Sequence, residues 1–247
     1  MAVQVPVTAP ARQARLGGIR QAATWLTEQR LGAAESIVYV SNGCTFPVPA
    51  IGLCYQADPP DDEKTGVGID QFPGIVGPFA LYGGVECFIG PDNDFDARAR
   101  AILESGEDRA MEQAIYTWAT GATNVGSDNI VDAIAIVEQA LDQNYLGRGI
   151  ILMSRADAVR ASAAMAIEYG IDGLPYTVNG TPVVASGWIP QNTIYGVGAV
   201  TVLRSAVEEI RTFDHVNNTE WAVAEAVYSI LVDCNYRVKS TITPPAP

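Results

Sequence analysis

The sequence predicts an α+β fold, because helix and strand patterns follow one another in irregular order along the chain. Met111, Ile115 and Trp118 recur at helical spacing within a long stretch that begins after a cluster of aspartates. The run GIILM at 149–153 is typical of a short buried strand. Residues 226–243 are rich in β-branched side chains and predict further strand near the end of the chain.

The composition indicates a folded chain that hides much of its surface. Of the 247 residues, 48% are hydrophobic, which excludes bulk disorder, and 17% are charged, against about 25% in an average soluble protein. The net charge of −13 argues against a general nucleic-acid binder, which needs clustered lysine and arginine. The sequence lacks a long apolar run and a signal-like N-terminus, so we expect an intracellular protein without a membrane span.

The N-terminal segment differs in charge from the rest of the chain. Residues 1–31 hold Arg12, Arg15, Arg20 and Arg30 against a single glutamate. A basic arm on an acidic body is suited to lie across a neighbouring subunit or to face DNA. A solvated helix face is the alternative interpretation, and the charge pattern alone does not separate the two.

Residues 58–68 are the most polar and turn-rich segment, and we interpret them as the exposed tip of a long excursion that carries Lys64. The flanks 46–57 and 67–90 mix β-prone residues with Gly and Pro, which is typical of irregular or edge strands. Their aromatic side chains would be exposed on an isolated chain, and such exposure usually marks an interface. These side chains are Phe46, Phe72, Phe79 and Tyr82.

Three further patterns predict individual elements. Apolar spacing predicts a helix within 16–26, and Ser154 is expected to cap a helix that runs to about residue 168. Residues 194–205 predict one strand, on which 206–213 are expected to pair back.

Residues with catalytic or metal-binding chemistry are few and scattered. His215 is the only histidine and lies in a polar loop, where a solvated side chain is more typical than a catalytic base. Cys44, Cys54, Cys87 and Cys234 are widely and irregularly spaced, so we expect buried, reduced thiols rather than a zinc site. The sequence therefore favours a structural or binding role without a metal or cofactor.

Four stretches between residues 148 and 243 resemble one known family. In order they are GIILMSRADAV, NGTPVVASGWIP, IYGVGAVTVLRSAVE and VNNTEWAVAEAVYSILVDCNYRVKSTI. They resemble the major capsid proteins of tailed bacteriophages, which have the Hong Kong 97-type fold. The earlier half of the chain fits that family in architecture alone.

The resemblance implies five regions. They are an N-terminal arm (1–35), an extended loop region (36–90), a spine helix with the peripheral domain (91–124), an axial domain (125–205) and return strands to the peripheral domain (206–247). In the last region Glu225 matches a glutamate that many relatives follow with arginine, whereas this chain has Ala226. That departure leaves a subunit salt bridge at this position without support.

The function implied by the resemblance is assembly, with no catalysis and no cofactor. Copies of the chain would form pentamers and hexamers of an icosahedral shell that encloses double-stranded DNA and contacts it non-specifically. Scaffold, portal and decoration proteins would be the other partners, and a membrane would not. The shell would be assembled in the host cytoplasm and would become the virion capsid.

The resemblance also implies residues at subunit contacts. The candidates are Arg12, Arg15, Arg20, Lys64, Phe72, Phe79 and Glu225. Lys64 lies where some shells of this fold carry a lysine that crosslinks to an asparagine of a neighbour; a solubilising loop tip is the alternative.

Other classes of protein remain open from the sequence. An encapsulin-like nanocompartment has the same fold but encloses enzymes, and a phage tail or head-completion protein would form rings or tubes. A small hydrolase that uses Cys or Ser with His215 is the alternative from a different class.

Overall fold

The computed structural model describes residues 15–34, 36–41, 44, 70–88, 94–145, 147–216 and 219–243. The helices in these residues are α1 (Ile19–Ala22), α2 (Phe95–Ala119), α3 (Ile130–Asn144) and α4 (Arg155–Ala163). The strands are β1 (Thr24–Thr27), β2 (Val38–Ser41), β3 (Asp70–Pro73), β4 (Val76–Phe88), β5 (Thr123–Asn124), β6 (Ile150–Ser154), β7 (Ile167–Tyr169), β8 (Pro175–Thr177), β9 (Val183–Ser186), β10 (Thr193–Val197), β11 (Val200–Arg204), β12 (Glu208–Asp214), β13 (Thr219–Val232) and β14 (Arg237–Thr241). The irregular order of helices and strands confirms the predicted α+β class. None of these helices is both long and apolar enough to cross a membrane.

The first sheet is built around β13. Along one side β13 pairs with β4, and along the other it pairs with β12 and then with β11, in each case antiparallel. β1 extends the sheet parallel to β11. The long helix α2 lies against β4 and β13, and it covers the alternate β13 residues from Ala222 to Ile230, which are buried. α2 and this sheet therefore enclose one hydrophobic core.

The second sheet has the strand order β5-β14-β10-β6-β9. α3 packs on β10 and β14 through Ile134, Val137 and Leu141, a stripe at helical spacing that is buried. Every residue of β6 is buried, as its continuous apolar run predicts. The Ser154 hydroxyl accepts a hydrogen bond of 3.0 Å from the backbone N–H of Asp157, so the predicted cap of α4 is confirmed.

Several predicted elements differ in extent. The helix expected within 16–26 is limited to α1, because β1 follows at once and pairs with β11. α4 ends at Ala163, well before residue 168, since Met165 has a positive φ and β7 begins two residues later. Both differences arise from partners or turns that local helical spacing does not reveal.

The strand predicted over 194–205 is two strands in two different sheets. β10 belongs to the second sheet and β11 to the first, and the chain crosses between the sheets at Gly198 and Ala199. β12 does not pair back on this segment; it pairs with β13 instead. As a result β11, although within 125–205, joins the first sheet, and β14, although within 206–247, joins the second. The five-region division by residue number stays a prediction.

The expectation of four reduced thiols is wrong for one pair. Cys44 and Cys234 form a disulfide across a sequence separation of 190 residues. No local spacing signals this pairing, because it depends on β2 and β3 lying against the turn at 233–235. Both cysteines are partly exposed.

Tyr195 on β10 joins the second sheet to α2, since its ring meets the Tyr116 ring edge-on with centroids 5.8 Å apart. Burial raises the pKa of Tyr195 to about 12, and the neighbouring Tyr116 adds to the rise. The folded state therefore favours the neutral phenol. Its stabilising contribution is complete below about pH 10 and is lost as the pH rises through the folded pKa.

We expect Tyr195→Phe to weaken the loss of stability between about pH 10 and pH 12. The measurement is the free energy of urea unfolding across this interval, compared with the unmodified chain. Tyr169→Phe, at an exposed position on β7, is the matched control for loss of a phenol hydroxyl and should leave the free energy of unfolding close to that of the unmodified chain. A Tyr195→Phe profile as steep as that of the unmodified chain would show that ionisation of this phenol does not oppose folding.

Candidate subunit interface

The first sheet presents a second face, opposite to α2, that the described residues leave open around Trp221 and Val223. Further along β13 this face is covered, since the 3₁₀ turn Leu31–Ala33 packs near Val227 and Leu231 is buried. Residues paired directly across antiparallel strands share a face, so Trp221 lies beside Thr212 and Glu86, and Val223 lies beside Ile210. Trp221 is 41% exposed, Ile210 53% and Tyr82 on β4 73%. We call this the outer face. Large apolar groups grouped on one exposed sheet face are typical of a protein–protein contact.

The outer face also carries carboxylates. Glu86, Glu208 and Glu225 lie on it, and Glu225 stands directly opposite Glu208 and next to Tyr82. Within the described residues none of the three has a cationic partner. Like charges directly opposite each other on a sheet destabilise it slightly. The outer face is therefore apolar with an acidic border, and a cationic segment of another molecule would complement it.

A groove of about 480 Å³ lies on the other side of β4, where the strand borders α2. Phe79, Leu81 and Trp118 line it, and Phe79 also contacts the Tyr228 ring with a centroid distance of 6.0 Å. Phe79 is half-buried on the isolated chain, so part of its ring stays open to the groove.

Two N-terminal arginines pair with carboxylates of α2 in the same chain. Arg15 forms an ion pair with Glu112, and Arg20 pairs with Glu107 and, at 2.9 Å, with Asp108. Both pairings hold residues 15–22 against α2, where Ile19 is fully buried. The part of the predicted arm that the structure describes is thus packed on its own subunit. An additional contact of these arginines with another copy or with DNA stays a prediction.

Two buried carboxylates of α2 organise this region. Glu107 is 1% exposed and receives the Tyr228 hydroxyl at 2.6 Å and the Arg204 guanidinium at 2.5 Å. Burial raises the pKa of Tyr228, and its hydrogen bond to Glu107 raises that pKa further. A buried carboxylate is tolerated only with such partners. These bonds join α2, β11 and β13 into one unit.

Glu112 makes the corresponding contacts one and a half turns further along α2. It is 3% exposed, accepts the Ser186 hydroxyl at 2.7 Å and lies 3.3 Å from the backbone nitrogen of Ile19. The sequence-based predictions missed both glutamates. The available signal was that Glu107 occupies a position of the buried stripe that continues every four residues through Leu103, Met111 and Ile115.

The remaining predicted contact residues are placed as follows. Phe72 is half-buried on β3 opposite Tyr39, and Glu225 lies on the outer face. Arg12, Phe46 and Lys64 lie outside the described residues, together with the predicted loop tip 58–68. The structure therefore brings Glu225 and Tyr82 together, while Phe79 lies on the opposite face of the same sheet.

Groups capable of catalysis do not converge in the described part of the chain. His215 is exposed, and its ring contacts the Phe213 ring at a centroid distance of 4.5 Å. Among the described residues, one group of three potential metal ligands occurs, Cys44, Asp233 and Cys234, and its two sulfurs form the disulfide. A nucleophile–base pair built on His215 finds no support in this arrangement.

Comparison with solved structures relates the whole fold to protein shells. The chain is similar to the capsid subunit of an empty GTA particle (TM-score 0.60, 14% identity, covering 98% of this chain and 95% of that one). It is also similar to a structure of Microbacterium phage Oxtober96, with a TM-score of 0.59 and 12% identity, covering 99% of this chain and 96% of that one. The holo-SrpI encapsulin of Synechococcus elongatus PCC 7942 is similar as well, with a TM-score of 0.54 and 12% identity, covering 98% of this chain and 96% of that one. No protein-family model matches the sequence, and no curated protein matches it.

The match over nearly the full length of each chain defines the class of fold. This chain has the Hong Kong 97-type fold over nearly its whole length. The fold predicted from the resemblance of residues 148–243 is confirmed, and its extension to the earlier half is confirmed with it.

Proposed function

We propose that this protein is the major capsid protein of a tailed phage, a structural subunit that assembles into a closed icosahedral head shell around double-stranded DNA. The observation that carries the proposal is the exposed apolar part of the outer face, on a chain whose fold, over almost its whole length, is that of shell subunits. A monomer would leave Tyr82, Ile210 and Trp221 in water. A neighbouring copy would bury them, and repeated contacts of this kind close a shell.

The proposal assigns the subunit a structural role without catalysis. Pentamers and hexamers would form through the outer face, the groove beside β4, and contacts from regions outside the described residues, including Arg12 and Lys64. The acidic composition fits a surface that contacts packaged DNA only weakly and without sequence preference. Assembly in the host cytoplasm, together with scaffold, portal or decoration proteins, is part of the same proposal.

An encapsulin-like nanocompartment is the second candidate, and the similarity to the Synechococcus elongatus encapsulin supports it. The two candidates predict different contents. A phage head expressed with its packaging partners would enclose DNA, whereas a nanocompartment would copurify with an enzyme as cargo. We favour the phage capsid because its characteristic stretches recur in 148–243 and because phage capsids predominate among the similar solved structures.

Trp221→Glu is expected to weaken each subunit contact at least about tenfold, which corresponds to about 1.4 kcal/mol per contact, and so to lower the assembled fraction of the purified chain. A carboxylate there adds charge to an already acidic apolar face that a neighbour must desolvate. Sedimentation velocity at matched protein concentration separates shells from free subunits and measures this fraction.

Trp221→Phe is the matched control, because it keeps an apolar ring at the same position and should still assemble. The circular dichroism and thermal midpoint of both variants should stay close to those of the unmodified chain, since Trp221 is 41% exposed. If Trp221→Glu assembles to the same extent as Trp221→Phe, the outer face does not take part in the subunit contacts.

A further inference from the structure

The disulfide between Cys44 and Cys234 joins the end of β2 to the turn between β13 and β14. Cys44 lies just after β2, and its backbone N–H donates a hydrogen bond of 2.9 Å to the carboxylate of Asp70, the first residue of β3. β2 and β3 pair in register from Val38 to Ser41. Cys44 and Asp70 therefore lie side by side next to the β2–β3 pair.

Cys234 lies where the chain passes from one sheet to the other. It belongs to the turn 233–235 between β13 of the first sheet and β14 of the second, and it adopts a positive φ of 56°. This turn packs on Gly198 and Ala199, where the chain passes from β10 of the second sheet to β11 of the first. The Asp233 N–H donates a hydrogen bond of 2.9 Å to the Ala199 carbonyl. A Cβ at Gly198 would lie 2.4 Å from the Asp233 carbonyl oxygen, so the two crossings are in direct backbone contact.

The two sulfurs are also held close by contacts other than their own bond. The Ser41 hydroxyl lies 3.4 Å from the sulfur of Cys44 and 3.7 Å from that of Cys234. The Tyr145 hydroxyl donates to Asp233 at 2.8 Å and fixes the turn that carries Cys234. Opening the disulfide would thus leave two thiols near each other, ready to close again.

We propose that Cys44 and Cys234 form a reversible redox tie, which is open as two thiols in reducing surroundings and closed after exposure to an oxidant. When closed, it fixes Cys44, beside the β2–β3 pair, to the junction of the two sheets. Its timing rests on the proposed function: a shell assembled in a reducing cytoplasm would close the tie after release from the cell. The chemistry of the tie does not depend on assembly.

The oxidant can be a low-molecular-weight disulfide, and the step is two successive exchanges. One cysteine thiolate attacks the small disulfide, forms a mixed disulfide and releases one small thiolate. The second cysteine thiolate attacks the protein sulfur of the mixed disulfide and releases the other small thiolate. The protein loses two electrons and two protons, and the small disulfide is reduced to two thiols. Partial exposure of both cysteines gives the reagent access.

The test uses the full chain with Cys54→Ser and Cys87→Ser, so that only the proposed pair can react. After reduction and removal of the reductant, thiol titration is expected to find two free thiols per chain. Incubation with oxidised glutathione should remove both, lower the intact mass by two hydrogen atoms and leave no glutathione attached. Because the closed loop spans 190 residues, oxidation is expected to raise the thermal midpoint by roughly 10 °C.

Cys44→Ser in the same background is the matched control, and its thermal midpoint should not respond to the redox state beyond the small effect of a mixed disulfide. Peptide mapping of the unmodified chain supplies an independent readout if the double variant folds poorly. Three results would overturn the proposal: thiols that persist after oxidation, a disulfide-linked pair of chains, or a bound zinc ion that protects both thiols, since Asp233 lies within 4.8 Å of both sulfurs. All readouts apply to single subunits, so a chain that fails to form shells can still pass or fail this test.

Discussion

Replacing Gly83 by alanine is expected to destabilise the subunit by about 3 kcal/mol or more. Gly83 lies on the inner side of β4, where α2 crosses the strand at backbone contact. A Cβ there would come within 2.2 Å of the Ala99 carbonyl oxygen and 2.5 Å of the Leu103 backbone nitrogen. Both atoms belong to the helix backbone, so the added methyl can be accommodated only if α2 moves away from the sheet. Denaturant unfolding measures the loss.

Gly84→Ala is the control for this prediction. Gly84 is the next residue of the same strand, but it faces outward, and its nearest neighbour would be a Val223 methyl at 4.0 Å. This variant should match the unmodified chain or exceed it slightly, because a glycine within a strand is itself unfavourable. Equal stability of the two variants would mean that α2 does not rest on β4 at this point.

Glu107→Ala is the second change with a large expected effect, about 3 kcal/mol. The substitution removes the acceptor for the Tyr228 hydroxyl, which is buried, and the partner of Arg204 and Arg20. Leaving a buried donor without an acceptor costs more than the hydrogen bond itself contributed. The free energy of unfolding by urea gives the size of the loss, and the protein should also become more sensitive to proteolysis at α2.

A double-mutant cycle separates the network from a general effect on the helix. Tyr228→Phe in the Glu107→Ala background should cost clearly less than Tyr228→Phe alone, because the acceptor is already absent. Glu104→Ala, an exposed position one turn earlier on α2, should change stability by less than about 0.5 kcal/mol. Additive effects of Glu107 and Tyr228 would contradict a shared network.

Elements with a strong local pattern could be predicted from the sequence. The continuous apolar run of β6, the stripe of α2 at Met111 and Ile115, and the cap at Ser154 depend on residues within a few positions of one another. The fold class followed from the resemblance of the stretches in the second half. Local patterns succeeded here because burial and capping are decided within each element.

Features that depend on distant partners could not be predicted in the same way. The division of 194–205 into β10 and β11 is fixed by contact of Gly198 with Asp233, and the disulfide joins residues 190 positions apart. The burial of Glu107 depends on arginines from two other elements. Of the predicted contact residues, Glu225 lies on the outer face. The exposure of Trp221 and Ile210 on that face could not be predicted, because it depends on the register between β12 and β13.

Negative-stain electron microscopy of the purified, unmodified chain at high concentration tests the central claim most directly. If other copies of the chain bury the outer face, the micrographs should show closed shells of uniform diameter. A field of single subunits, together with a monomer mass by sedimentation at the same concentration, would contradict the account.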